Sequence, residues 1–182
     1  MRRGRRPGLR AQRLHQQHGE DRGSCPEEPG YGADALRFTL ARGANPGTDQ
    51  AIAEEWIGGS RNFATKLWNA TRFAIMNGAT VAGEMPKFDS LDAINKWILT
   101  RLDETILEVD ELFENFEFAK ACEIIYHFAW DDLCDWYLEL SKANFQAGDS
   151  ASKRVLGHVL DQLMRLMHPA MPFITEELWC SF

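Results

Sequence analysis

Residues 61–73 read RNFATKLWNATRF, and the choice of fold turns on them. At about 100° per residue with Arg61 at zero, Arg72, Thr65, Asn69, Asn62 and Lys66 fall between about 20° and 140°. Ala70, Phe63, Ala74, Leu67, Ala64, Ile75 and Trp68 fall between about 180° and 340°. Phe73 is the exception to an otherwise clean division. A helix so divided docks one side into a core and offers on the other three cations, two amides and a hydroxyl, without an acid. Asn and Thr are mediocre helix formers, so their presence calls for a partner outside the helix. Phosphate and sugar would supply one: Arg and Lys bring charge, while Asn and Thr bond phosphate oxygens and 2′-hydroxyls without sequence preference. The same side chains could instead cap neighbouring loops, and the pattern alone does not choose.

Working outward, this helix extends from about Ala51 to Met76 and stops at Asn77-Gly78, which suits a left-handed cap. Before it lies GADALRFTLARG, a short amphipathic helix with Asp34 near its start and Gly43 at its end, followed by a turn at Pro46-Gly47. After a linker with Gly83 and Pro86, a helix capped by Asp89 or Ser90 runs to about Phe113, with Leu91, Ile94, Trp97, Ile98, Leu102, Val109 and Leu112 at helical spacing. A fourth spans about Glu117 to Ala143 and a fifth about Ala151 to Met167, which Pro169 ends. PFITEELW begins a sixth, and its interruption so near Phe182 is expected of a chain cut short. No segment alternates like a strand between turn pairs. The predicted fold is therefore all-α, an up-and-down bundle of antiparallel helices.

With 182 residues, 45% of them hydrophobic, the chain suffices for one domain with a core and a tail. No apolar run is long enough to span a membrane, and the expected compartment is the cytoplasm. Four cysteines without a CxxC pair read as free thiols. The net charge of −7 is uneven: residues 1–30 carry seven Arg against four acids, leaving −10 on residues 31–182. Those first 30 residues have no apolar period and predict a disordered basic leader. His15 and His18 within it lack further ligands at structural-zinc spacing. A nucleic-acid role in so acidic a domain must rest on a local patch.

Four stretches in order, GADALRFTLA, SRNFATKLWNATRF, FAWDDLCDWYLEL and HPAMPFITEELW, resemble the valyl-tRNA synthetase family of class I aminoacyl-tRNA synthetases, over about Tyr31 to Trp179. The resemblance implies a ligase family in which valine is joined to tRNA(Val) in protein biosynthesis, with ATP and Mg used by the parent enzyme. It places residues 31–50 as a remnant of the stem-contact region after the KMSKS loop, and residues 51–182 as the anticodon-binding helical bundle, truncated at its C-terminus. It also turns the RNF helix towards tRNA, making Arg61, Asn62, Lys66, Asn69 and Arg72 the candidate RNA contacts. Where the family often has Asn, this chain has Thr65.

The departures bear on activity. There is no HIGH and no KMSKS motif, GEDRGSCPEEPG stands where KMSKS is expected, and the family's C-terminal coiled coil is missing. Residues 1–30 look foreign to the family, as a truncation or shifted frame would produce. Adenylate formation needs the nucleotide-binding fold and those loops for charge stabilisation, so the chain is expected to bind tRNA without catalysing alone and to hold no cofactor itself. Its partners are then tRNA(Val) and a separately encoded catalytic portion, with no role for membrane or DNA. A rival expectation is a helical interaction module or relic fragment without RNA affinity, for which apolar surface at Gly32 to Leu40 would be the sign. His127, Asp131 and Cys134 share a helical face but sit among Trp130, Trp136 and Tyr137, which favours packing, with Asp131, Asp132 or Asp135 accepting hydrogen bonds.

Overall fold

Periodic burial on each helix generates the architecture. The computed structural model describes residues 30–45, 47, 49 and 51–182. The expectations for the leader, His15 and His18 included, and for Pro46 lie outside the described residues. Helix α1 is Ala33–Gly43 and α2 is Glu54–Met76. After a 3₁₀ turn at Phe88–Ser90, α3 spans Ala93–Glu114. Helix α4, Phe118–His127, continues as a π-helical segment, Phe128–Tyr137, and then the short α5, Leu138–Leu140, and α6, Lys142–Gln146. Helix α7 is Ser150–Met167 and α8 is Pro172–Trp179. Among the described residues there is no strand, so the fold is all-α.

Side-chain pairings give the directions. Along the α4–π rod, Phe118 meets Phe113, Asp132 meets Arg101 and Tyr137 meets Asn95, so α3 runs antiparallel to it. Tyr126 meets Phe63, Asp135 meets Lys66 and Phe145 meets Phe73, so α2 runs parallel to it. Lys153, at the start of α7, lies beside Thr80, just past the end of α2. The four long elements therefore alternate up and down. The core between them includes Phe63, Leu67, Ala74, Ile98, Leu102, Phe128, Leu133, Leu156, Leu160 and Leu163. Helix α1 joins the same core, Phe38 stacking on Phe63 at 5.2 Å. Tyr31–Cys180 and Phe182 form one compact unit.

Helix ends differ in part from expectation. Helix α2 starts at Glu54 rather than Ala51, and ends as predicted: Gly78 takes φ +78°, Gly78 N donates to Ile75 O and Ala79 N to Ala74 O, the paired bonds of a Schellman cap. The cap of α3 is Asp92, not Asp89 or Ser90, because its carboxylate accepts Asn95 N at 2.8 Å while the earlier residues form the 3₁₀ turn. Asp149 caps α7 in the same way. The helix expected over Glu117 to Ala143 is interrupted by the π segment, where Leu138 N donates to Leu133 O. Inside the bundle, Tyr137 Oη donates to Asn95, whose amide donates to Ser152, whose hydroxyl donates to Asp149. A chain of bonds thus ties the N-termini of α3 and α7 to the π segment, satisfying buried polar groups that would otherwise be costly. Burial pushes the Tyr137 phenol upward and the Cys122 and Cys134 thiols to about 11.

Candidate nucleic-acid interface

Phe63, Leu67, Ala70, Thr71 and Ala74 of α2 are buried, and this anchors the helix so that its opposite flank must face out. Arg61, Asn62, Thr65, Asn69 and Arg72 are all exposed. Thr65 bonds back to its own helix, its hydroxyl donating to Arg61 O at 3.1 Å. Among the described residues, no side-chain hydrogen bond or ion pair engages Arg61, Asn62, Asn69 or Arg72. The alternative of loop capping is therefore not what these four do. From Arg61 to Arg72 the flank rises about 16 Å, at about 1.5 Å per residue.

Lys66 is placed differently. Its ammonium lies 2.6 Å from Asp135 Oδ1 of the π segment and 3.7 Å from the Trp130 ring centroid, and its side chain is only 23% exposed. From Arg61 to Arg72 the flank carries no acid of its own, Glu54 and Glu55 lying on the same side only in the first turn of α2, but the tertiary structure brings one to it. Trp130 stacks on Tyr126 at 5.6 Å, and the Arg42 guanidinium lies 4.0 Å over the other ring. Arg42 is held in turn by both carboxylate oxygens of Glu123. A cation–π ladder thus runs from α1 through the α4–π rod to α2, each end closed by a carboxylate. The Arg42 hydrogen bond holds the Glu123 carboxyl below its ordinary range.

His127 joins Asp131, through Nδ1 at 2.8 Å, and Glu123, through Nε2 at 3.1 Å. Its bond to Asp131 raises it above the ordinary 6.5. Cys134 stands apart, packed against the core. The three aspartates serve three different donors: Asp131 accepts from His127, Asp132 from Arg101 and Asp135 from Lys66. All three accept hydrogen bonds as expected, Asp132 half-buried and Asp131 and Asp135 exposed on the π segment.

A latch joins the two ends of this unit, and residue spacing did not foretell it. Asp34 of α1 accepts Ile174 N at 2.6 Å and Phe173 N at 3.3 Å, capping α8 from 140 residues away where Met171 offers no side-chain cap. Arg37 donates to Pro169 O and Ala170 O just before it. Two of the four quoted stretches, GADALRFTLA and HPAMPFITEELW, are thus one structural unit. Their signal in the sequence was a helix start at Pro172 with no capping side chain before it.

The family described as the anticodon-binding domain of tRNA ligase matches residues 95–181. It begins within α3, so α2 stands outside the match. Over 154 residues the chain is 59% identical to the valine-tRNA ligases of Streptomyces avermitilis and of Streptomyces coelicolor, covering 83% of this chain and 18% of each relative. It is 57% identical over 149 residues to the valine-tRNA ligase of Mycolicibacterium paratuberculosis, covering 82% of this chain and 17% of that protein. The chain thus spans less than a fifth of the length of these curated relatives.

Proposed function

The chain belongs to the valine-tRNA ligase family, and from that premise we propose that it is the tRNA-gripping part of such a ligase, serving attachment of valine to tRNA(Val) in the cytoplasm. The observation that carries the reading is the outward flank of α2. Arg61, Asn62, Asn69 and Arg72 stand exposed and, among the described residues, unpaired, in a region that carries −10 overall. Ordinary solvated faces mix signs, whereas the stretch from Arg61 to Arg72 offers cations and amides with no acid of its own between them, which matches a phosphate backbone. ATP, Mg and bond-forming chemistry belong on this reading to a catalytic portion bearing HIGH and KMSKS, motifs that this sequence does not contain.

A filter-binding titration with a tRNA(Val) transcript across a salt series tests the assignment. Arg61→Glu with Arg72→Glu is expected to weaken binding and to flatten the salt dependence by about 0.7–0.9 in log–log slope for each phosphate that is no longer neutralised. Unchanged affinity and slope would show that RNA lies elsewhere. One observation favours a second use of α1: Leu36 and Leu40, one turn apart, are exposed large apolar side chains, as is Trp56 at the start of α2. This surface suits docking to a separately supplied catalytic portion, and sedimentation of the chain with such a fragment, with and without Leu36→Lys, would reveal it.

A further inference from the structure

On the reading that the outward flank of α2 binds RNA, we propose that Asp135 sets its specificity by masking Lys66 against RNA that offers only backbone. It releases Lys66 to RNA that presents a base amino group. Among the five candidate side chains of the flank, Lys66 alone is engaged within the described residues: a carboxylate at 2.6 Å, an indole face at 3.7 Å, and 23% exposure against 52% for Asp135. Phosphate can reach a remaining donor of that ammonium, but it neutralises its own charge there fully only by displacing Asp135. The displaced carboxylate would then stand without a partner beside a second anion, so backbone alone gains little from the exchange.

A base carrying an exocyclic amine changes the balance. A carboxylate accepts from cytosine N4 or an equivalent amino group, so such a base takes over Asp135 while phosphate takes over Lys66. Trp130 keeps the ammonium on its ring during the exchange, and Tyr126 and Arg42 back the indole in a fixed stack. The exposed Arg61 and Arg72 provide grip for any RNA, whereas the Lys66–Asp135 pair adds selection by making the wrong ligand leave a charge stranded.

Homopolymers separate these contributions, because poly(C) carries the amine and poly(U) does not. In equilibrium titrations at about 0.1 M salt, the chain is expected to bind poly(C) more tightly than poly(U). Asp135→Asn should strengthen poly(U) binding about fivefold, the value of one additional neutralised phosphate on a single strand, and steepen its log–log salt slope by about 0.7. Poly(C) should change much less, so that the preference collapses. In a Lys66→Met background, Asp135→Asn should lose its effect on poly(U).

Three results would overturn the proposal: no gain for poly(U), an equal gain for both polymers, or a gain that survives in the Lys66→Met background. The last would mean that Asp135 acts only as a general negative charge. The broader assignment of the flank is decided separately by Arg61→Glu with Arg72→Glu, which must weaken both polymers whatever Asp135 does.

Discussion

Replacing Gly157 by alanine should destabilise the chain, although Gly to Ala within a helix ordinarily does the reverse. Gly157 lies inside α7, where alanine's better helix propensity is worth about 1 kcal/mol. A Cβ at that position would sit 2.1 Å from the Thr80 carbonyl oxygen, 2.5 Å from its carbon and 2.9 Å from its nitrogen. The closest ordinary C···O approach is about 3.3 Å, so the linker after α2 would have to retreat about 1.2 Å. That linker is held by the Schellman cap at Gly78, by Thr80 N donating to Lys153 O, and by Arg154 donating to Gly83 O at 3.1 Å. Overpacking costs about 1–3 kcal/mol, and a clash with three backbone atoms of a bonded linker belongs at the upper end, about 2–3 kcal/mol, so the net destabilisation should be about 1–2 kcal/mol once the propensity gain is subtracted. Gly59 of α2 serves as the control, since nothing lies within 4 Å of its added Cβ, and Gly59→Ala should gain about 0.5–1 kcal/mol. Urea titrations followed by helical circular dichroism should show midpoints moving in opposite directions, the Gly157 variant falling by about 0.5–1 M for a denaturant dependence near 2 kcal/mol per M. A Gly157→Ala midpoint at or above that of the parent would refute the packing of the linker on α7.

The latch predicts that Asp34→Ala costs about 1–2 kcal/mol, since α8 loses the acceptor for two N-terminal amides, while Asp34→Asn recovers most of it in the same urea assay. Two histidines should titrate on opposite sides of 6.5 when followed by imidazole proton resonances. His127 lies above it because of its bond to Asp131, with Glu123 adding to that, and His158 lies below it because of desolvation and then Arg154. The stability that charged His127 contributes is complete below 6.5 and disappears as pH rises through its elevated value. Asp131→Asn should return its midpoint towards 6.5, and an unmoved midpoint would assign the shift elsewhere.

Much of the fold was legible because helix burial is periodic. Phe63, Leu67, Ala70 and Ala74 announce one buried side of α2 by spacing alone, and the exposed positions of Arg61, Asn62, Asn69 and Arg72 follow from the same 3.6-residue repeat. Capping was less legible. Asp92, Asp89 and Ser90 are all good N-cap residues, and only the 3₁₀ turn in front of α3 selects Asp92. The π segment was invisible, since the apolar residues of FAWDDLCDWYLEL also satisfy an α-helical pattern, and it is there that Asp131, Asp132 and Asp135 spread to three separate partners.

The sequence alone determined the helical class, the division of α2 into apolar and polar flanks, and the membership in the ligase family that its four stretches implied. Each rests on spacing within one element or on residue order along the chain. Tertiary structure alone decided that Lys66 faces a carboxylate 69 residues away, that Asp34 caps α8 from 140 residues away, and that Gly157, unlike Gly59, has no room for a methyl group. Periodicity describes what a helix presents, whereas partners and close approaches depend on which elements pack beside it, and that follows from the assembled core as a whole.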